Sequence, residues 1–373
     1  MTDDFSALDT LTASDRSFAI YRKPGHSPEL VVQQDGLPET FETLTGLNGR
    51  SGFVMAPFQC NDRHPVVLIR PDFTFQGKTH LINYLKSQQT AVSSGMNNSA
   101  QQNSFDESIT INEGYTLYKA AFELFQKALH AGSCEKIVLS RTLQLPLPAE
   151  FSAGALFGIA CAAYPDAFVY LCHTPVTGTW FGSTPELLLS GENGSWQTVA
   201  LAGTRRIKDS ESNWESDWDA KNIREQHIVT AYLEKQLRIK NLIGSISEPY
   251  TVRAGQLMHI KTDFRFQMPE QGNVGDLLDF LHPTPAVCGY PKTEACRLIL
   301  AHEGYDRAYY SGFAGPLSMN GTTDLYVNLR CASLSDKGLV LYAGGGLMPD
   351  SELKSEWEET EVKLQTLLSL IKE

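Results

Sequence analysis

The chain has 373 residues, 31 Lys+Arg against 43 Asp+Glu and a net charge of −12, which excludes a basic surface built to hold nucleic-acid phosphates. A hydrophobic content of 42% against 20% charged residues excludes a disordered chain, and no apolar run reaches the ~20 residues of a bilayer crossing. The start MTDDFSALDTLTASDRSF has no basic, apolar leader, and seven cysteines without a Cys-x-x-Cys read as reduced thiols, so a cytoplasmic protein without a disulfide framework or zinc knuckle is expected.

Residues 1–90 read as short strands and turns, such as SFAIYRK at 17–23 and PVVLIRPDFTF at 65–75, and carry no recognisable chemistry. Residues 92–104 are polar and aperiodic, the pattern of a surface loop. From Gly114 onward, Tyr118, Ala121, Phe122, Phe125, Ala128 and Leu129 recur at helical spacing until Gly132 stops the helix. A strand follows at 136–145, then β-rich segments at 167–174, 179–183, 186–191 and 196–203, the last two joined by an Asn193-Gly194 turn. A long helix is predicted over 218–240 and a strand over 258–268, and helices bracket HPTPAVCGYPK at 282–292. The last third returns to strands at 309–317 and 323–334, joined through Met319-Asn320-Gly321, then LVLYAGGG, and closes with a helix over 352–371. Strands and helices come in blocks and not as alternating βαβ units, which argues for an α+β fold.

The closing helix places Glu356, Glu359 and Lys363 on one face. That face reads either as a solvated surface or, because AGGG at 343–346 precedes it and allows close backbone approach, as one wall of an anion site. Glu225, beside His227 on a charged helical stretch, reads as a surface glutamate or as the second of two carboxylates that would hold Mg²⁺ with waters and an anionic substrate. Lys136 begins a strand; it is an exposed strand-end lysine or a general base. Glu186 stands at the entry to an apolar strand, as an edge glutamate or as an acid with a raised pKa. His259 and His282 are candidates too, each with the stronger reading of a satisfied core or turn histidine.

In this order the segments EKIVLSR, FGSTPELLL, ALAGTRR, KNIREQHIV, LMHIKTDF, LHPTPAVCGYPK, YYSGFAGP, VNLRCASL, AGGGLMPDS and EWEETEVKL resemble the chorismate-utilising enzymes. That family includes isochorismate, salicylate, anthranilate and aminodeoxychorismate synthases. The matching stretches span about 114–373 and leave 1–110 as a less distinctive β-rich part. The resemblance implies one catalytic unit over 1–373, with two antiparallel sheets around the site and helices outside, and it implies Mg²⁺. By position Glu225 and Glu359 match the two family glutamates that hold the ion, and Glu356 matches a supporting acid. Many relatives carry His after the first of these glutamates, where this chain has Gln226.

Gly203, Thr204 and Gly344 match positions that meet the anionic substrate groups, with Lys363 close to the ring carboxylate. Arg330 matches the arginine that receives the enolpyruvyl carboxylate, and Tyr310 and His259 match pocket-lining positions. Ala202 stands where aminodeoxychorismate synthases carry a lysine nucleophile, and Lys136 matches the lysine of the branches that use water. Both imply water as nucleophile, with Lys136 as base and Glu186 as acid in the isomerisation of chorismate to isochorismate, for menaquinone or siderophore synthesis. Salicylate synthase and a non-catalytic chorismate-binding subunit are the competing readings. No amidotransferase partner is expected, and the chain is expected to be a monomer or weak homodimer.

Overall fold

A computed structural model describes residues 5–92, 111–148, 150–207, 218–242, 244–255, 257–268, 273–335 and 337–371. Its first part runs α1 (Leu8–Thr12), β1 (Ser17–Arg22), β2 (Glu29–Gln33), β3 (Glu39–Phe41), β4 (Gly52–Ala56), β5 (Val66–Ile69), β6 (Phe73–Gln76) and α2 (Lys78–Val92). The middle follows with α3 (Ile111–His130), β7 (Lys136–Leu145), α4 (Ala153–Ala163), β8 (Phe168–Thr174), β9 (Gly178–Thr184), β10 (Leu187–Glu192), β11 (Ser195–Arg206) and α5 (Ala220–Ile239). Then come β12 (Ser245–Ile246), β13 (Tyr250–Ala254), β14 (Leu257–Gln267), α6 (Val274–Leu281), β15 (Gly289–Tyr290) and α7 (Lys292–His302). The end is β16 (Phe313–Leu317), β17 (Thr322–Val327), β18 (Cys331–Ser335), β19 (Gly338–Leu347) and α8 (Leu353–Ile371). Apart from Val92, which ends α2, the loop expected over 92–104 lies outside the described residues.

Two sheets form, both antiparallel, in the orders β15-β7-β19-β18-β9-β8-β1-β2-β6 and β12-β14-β11-β10-β17-β16-β4-β5-β3, with β13 also paired to β14. Residues 1–90 thus supply one end of each sheet. Between the sheets lies an aromatic core: Tyr21, Phe168 and Tyr170 from the first face Phe53 and Tyr326 from the second. The rings of Phe168 and Tyr326 stack at 4.3 Å. Burying each such side chain contributes about 1.5–3 kcal/mol, which is what fixes the sheets against each other. On the outer face of the first sheet pack α1, α2, α4 and α8, and on that of the second α5 and α6. α3 and α7 cover β7. No helix among the described residues is long and apolar enough to cross a membrane.

Two expected strands are corrected. The strand read over 309–317 is extended only from Phe313, because Tyr309–Gly312 turn and Ser311 adopts φ 61°. The strand read over 323–334 is two strands in different sheets, β17 and β18. The chain changes sheet at residues 328–330, where Arg330 takes the left-handed φ of 46°. That crossing places Arg330 between the sheets.

Beneath β7 a buried clamp sets the strand's position. Arg307 pairs with Glu303 at 2.5 Å and donates to the carbonyls of Val287 and Val138, while Glu303 accepts from the Ser140 amide and hydroxyl. Every polar atom named here has a partner, the condition under which a buried ion pair is tolerated. Lys136 begins the strand held in this way.

Candidate active site

A pocket between the sheets is lined by Glu186, Gly203, Thr204, Glu225, His259, Tyr310, Arg330, Gly344 and Lys363, with Ala202 in the same wall. Lys136 and Glu359, the other two residues expected at the site, touch this lining through Glu225 and Lys363. His282 is elsewhere: its Nε2 lies 3.0 Å from the Pro57 carbonyl, and burial lowers its pKa to about 4. It reads as a structural histidine.

The pocket wall is built by β19 outrunning its neighbour. β18 pairs with β19 only as far as Ala332↔Leu341, so beyond Leu341 one edge of β19 has no strand partner from β18, and Ala343 to Gly346 line the pocket. The glycines are required by space. A Cβ on Gly346 would lie 2.2 Å from Glu225 Oε1 and 2.7 Å from Lys136 Cε, and one on Gly345 would lie 3.2 Å from Glu356 Oε2 and from Glu359 Oε1. Gly346→Ala is therefore expected to displace Lys136 and Glu225 and to cut turnover by about 10²-fold, as misplacement by an ångström does. Steady-state kinetics beside a circular dichroism spectrum of the folded variant would check this.

Three lysine–glutamate pairs ring the glycine strand: Lys136–Glu225 at 2.9 Å, Lys363–Glu359 at 2.6 Å, and Lys221–Glu356. Lys136 is fully buried and meets Glu225 at ion-pair distance without hydrogen-bond alignment. Lys363 also donates to the Gly344 carbonyl at 2.8 Å. Asp219 caps α5 by accepting from the Asn222 amide, and the buried stripe Glu225, Val229, Tyr232, Leu233 and Leu237 turns the glutamate inward with the apolar residues. Gln226, the position that departs from the family's His, donates to Ala200 O and Thr262 Oγ1 and so fastens α5 to the sheet.

The opposite wall carries Arg330, His259 and Thr204. At Ala202 and Thr204 the β11–β14 register slips by a bulge, with Gly203 at φ 71°, a device that re-aims side chains beside a site. His259 Nδ1 lies 3.0 Å from the Gly203 carbonyl and Nε2 3.5 Å from Arg330 Nη2. A carbonyl accepts and a guanidinium donates, so the proton belongs on Nδ1. Burial, with Arg330 and Lys363 nearby, lowers the His259 pKa to about 3, so the ring stays neutral and steadies Arg330. Arg330 also donates to Thr366 Oγ1 at 3.1 Å.

Glu186 is the outlier among the carboxylates. Burial pushes its pKa up to about 8 even though Lys136, Lys363 and Arg330 each pull it down. A carboxyl with that pKa is mainly protonated at neutral pH. Lys221 and Asn222 are the functional-site residues that the sequence reading missed: Asn222 Oδ1 accepts from the Thr204 amide at 2.9 Å, and Lys221 answers the buried Glu356.

The carboxylates fit a hard divalent cation in kind. Glu356 Oε2 is buried with no hydrogen-bond partner, and Glu356 and Glu359 press on the same glycine. Among the described residues no three His, Cys, Asp or Glu side chains come together as a closed cage. The donor set suits an ion held by few carboxylates and completed by water and substrate oxygens, the usual habit of Mg²⁺.

Comparison with known proteins agrees with this geometry. Residues 45–372 match the family described as chorismate binding enzyme. Isochorismate synthase EntC of Escherichia coli (strain K12) is 31% identical over 244 residues, covering 63% of this chain and 62% of that protein. The salicylate biosynthesis isochorismate synthase of Pseudomonas aeruginosa is 32% identical over 64% of this chain and 51% of its own length. The match thus spans only part of the length of these curated relatives. A crystal structure of a putative 2,3-dihydroxybenzoate-specific isochorismate synthase, DhbC, from Bacillus anthracis shares the fold with a TM-score of 0.75 at 21% identity, covering 98% of this chain and 99% of that one. MenF, the menaquinone-specific isochorismate synthase from Escherichia coli, superposes with a TM-score of 0.74 at 21% identity, over 100% of this chain and 92% of that chain.

Proposed function

Because the chain belongs to the chorismate binding enzyme family, we propose that it is a Mg²⁺-dependent isochorismate synthase, adding water at ring C2 of chorismate and expelling the C4 hydroxyl as water. The observation that carries the reading is Glu186, a buried carboxyl whose pKa is pushed up to about 8 in a pocket that also holds Arg330 and Lys363. The names of the similar proteins support the same activity, and relatives specific to menaquinone and to a siderophore both occur among them. The product is therefore assigned here to isochorismate and not to one pathway. Each sheet draws strands from both 1–90 and 114–373, which supports reading the chain as one catalytic unit.

Glu225 and Glu359 would hold the ion, which when bound supplies charge stabilisation at the ring carboxylate. Arg330 receives the enolpyruvyl carboxylate through parallel N–H donors, aligned by His259 and Thr366. Lys363 and the glycine edge of β19 meet the ring carboxylate, and Gly203, Thr204 and Tyr310 shape the remaining wall. Lys136, which must enter the step unprotonated, takes the proton from the attacking water, and a cation held by Glu225 would favour that neutral form by drawing away its ion-pair partner. Glu186 gives its proton to the departing C4 oxygen. One water is consumed and one released, so atoms and protons balance. Ala202, in the pocket wall, offers no amine for covalent capture of the ring.

The acid must be protonated to act, so its contribution is complete below about pH 8 and lost as pH rises through that value. A pH–rate profile should fall by about tenfold per unit on that alkaline limb, and the limb should be absent from the residual activity of Glu186→Gln. Chromatography of the products from purified protein, chorismate and Mg²⁺ tests the activity itself. Isochorismate alone supports the reading; salicylate with pyruvate replaces it with the salicylate synthase reading, and unconsumed chorismate points to a non-catalytic subunit.

A further inference from the structure

The catalytic pocket holds only about 70 Å³, while a neighbouring cavity of about 590 Å³ shares Pro185 and Arg330 in its wall. Sites for organic ligands usually need about 300–1,000 Å³, so the free space beside the catalytic groups lies in the outer cavity. Arg206 at the end of β11 and Arg253 on β13 are exposed in that outer wall. The register explains their meeting: Arg206 stands opposite Leu257 and Arg253 opposite Met258, so both flank the start of β14. The Arg253 guanidinium is braced by a hydrogen bond from Nε to the Gly255 carbonyl at 2.9 Å.

The acidic residues of the same wall are Asp166 and Glu361. Glu361 is ion-paired with Arg141, so its charge is already answered. Behind the wall the buried Arg22 donates to the carbonyls of Tyr164 and Pro165 and adds a further guanidinium on that side. Among the described residues the cavity wall is therefore net positive, on a chain whose overall charge is −12.

We propose that this cavity is an anion-collecting vestibule, in which Arg206 and Arg253 draw a dicarboxylate from bulk water and pass it to Arg330. The proposal rests on the reading of the chain as a chorismate enzyme and adds to it the route by which an acidic protein admits a dianion. At physiological ionic strength the global charge is screened beyond about 8 Å, so the arginines nearest the opening decide the sign of the field a substrate meets.

Titration calorimetry with chorismate and steady-state kinetics, each at low and raised salt, on the whole chain and on Arg206→Ala/Arg253→Ala, test it. For the unaltered chain, affinity should fall as salt is added. In the double variant KM and the dissociation constant should rise by about tenfold at low salt, the salt dependence should flatten, and the loss should fall on KM and not on kcat. Arg206→Lys/Arg253→Lys should recover most of the affinity, because charge and not shape is what the vestibule supplies. An unchanged KM and an unchanged salt dependence in the alanine variant would overturn the proposal while leaving the isochorismate synthase reading intact. Tight binding without turnover would overturn that reading, and the salt dependence of binding would still judge the arginines. No binding of chorismate by the unaltered chain would overturn both.

Discussion

Glu186→Gln is expected to lower kcat by about 10²–10⁴-fold with little change in thermal stability at neutral pH. The carboxyl is already protonated there, since burial raises its pKa to about 8, so the amide replaces one neutral group by another of nearly the same shape. The substitution removes the transferable proton and leaves the packing. Rate measurements paired with thermal melts separate the two effects. Near-normal turnover in a folded variant would remove Glu186 from the proposed role of general acid.

Glu225→Gln should have the other large effect, and it should act on stability as well as rate. Glu225 is the partner of the fully buried Lys136 at 2.9 Å, so neutralising it leaves a buried charge unanswered, a change that typically costs about 3–5 kcal/mol. Turnover should fall by at least about 10²-fold, because the proposed cation would supply several kcal/mol of charge stabilisation and this carboxylate would help to hold it in place. Calorimetric titration with Mg²⁺ should show weaker binding. A divalent cation and a dicarboxylate together add no net charge to the three lysine–glutamate pairs, so in the unaltered protein each should strengthen binding of the other by the same factor. Unchanged Mg²⁺ affinity in the variant would remove Glu225 from the metal site.

Much of the site was legible because its residues sit in short motifs with local signals. Glu225 lies on a helix whose buried stripe is visible in the spacing, and AGGG announced close approach to β19, although the sequence could not say that carboxylates and Lys136 fill the space. The crossing at Arg330 was not legible. VNLRCASL has no Gly or Pro to break a strand, and the left-handed turn at Arg330 is held by His259 and Thr366, both distant in sequence. Lys221 was hidden for the same reason: its partner Glu356 lies 135 residues away, so on the helix alone it looks like one more surface charge. Residues 1–90 showed strands but no purpose. The structure gives them one, since Tyr21 and Phe53 stack at 5.4 Å between the sheets, while the described lining of the candidate pocket includes no residue from this part.

The proposed water-adding isomerisation is tested most directly by mass spectrometry of the product formed from chorismate and Mg²⁺ in ¹⁸O-labelled water. Isochorismate should carry one solvent oxygen, at the ring hydroxyl on C2. Unlabelled isochorismate, or salicylate with pyruvate as the end products, would contradict it.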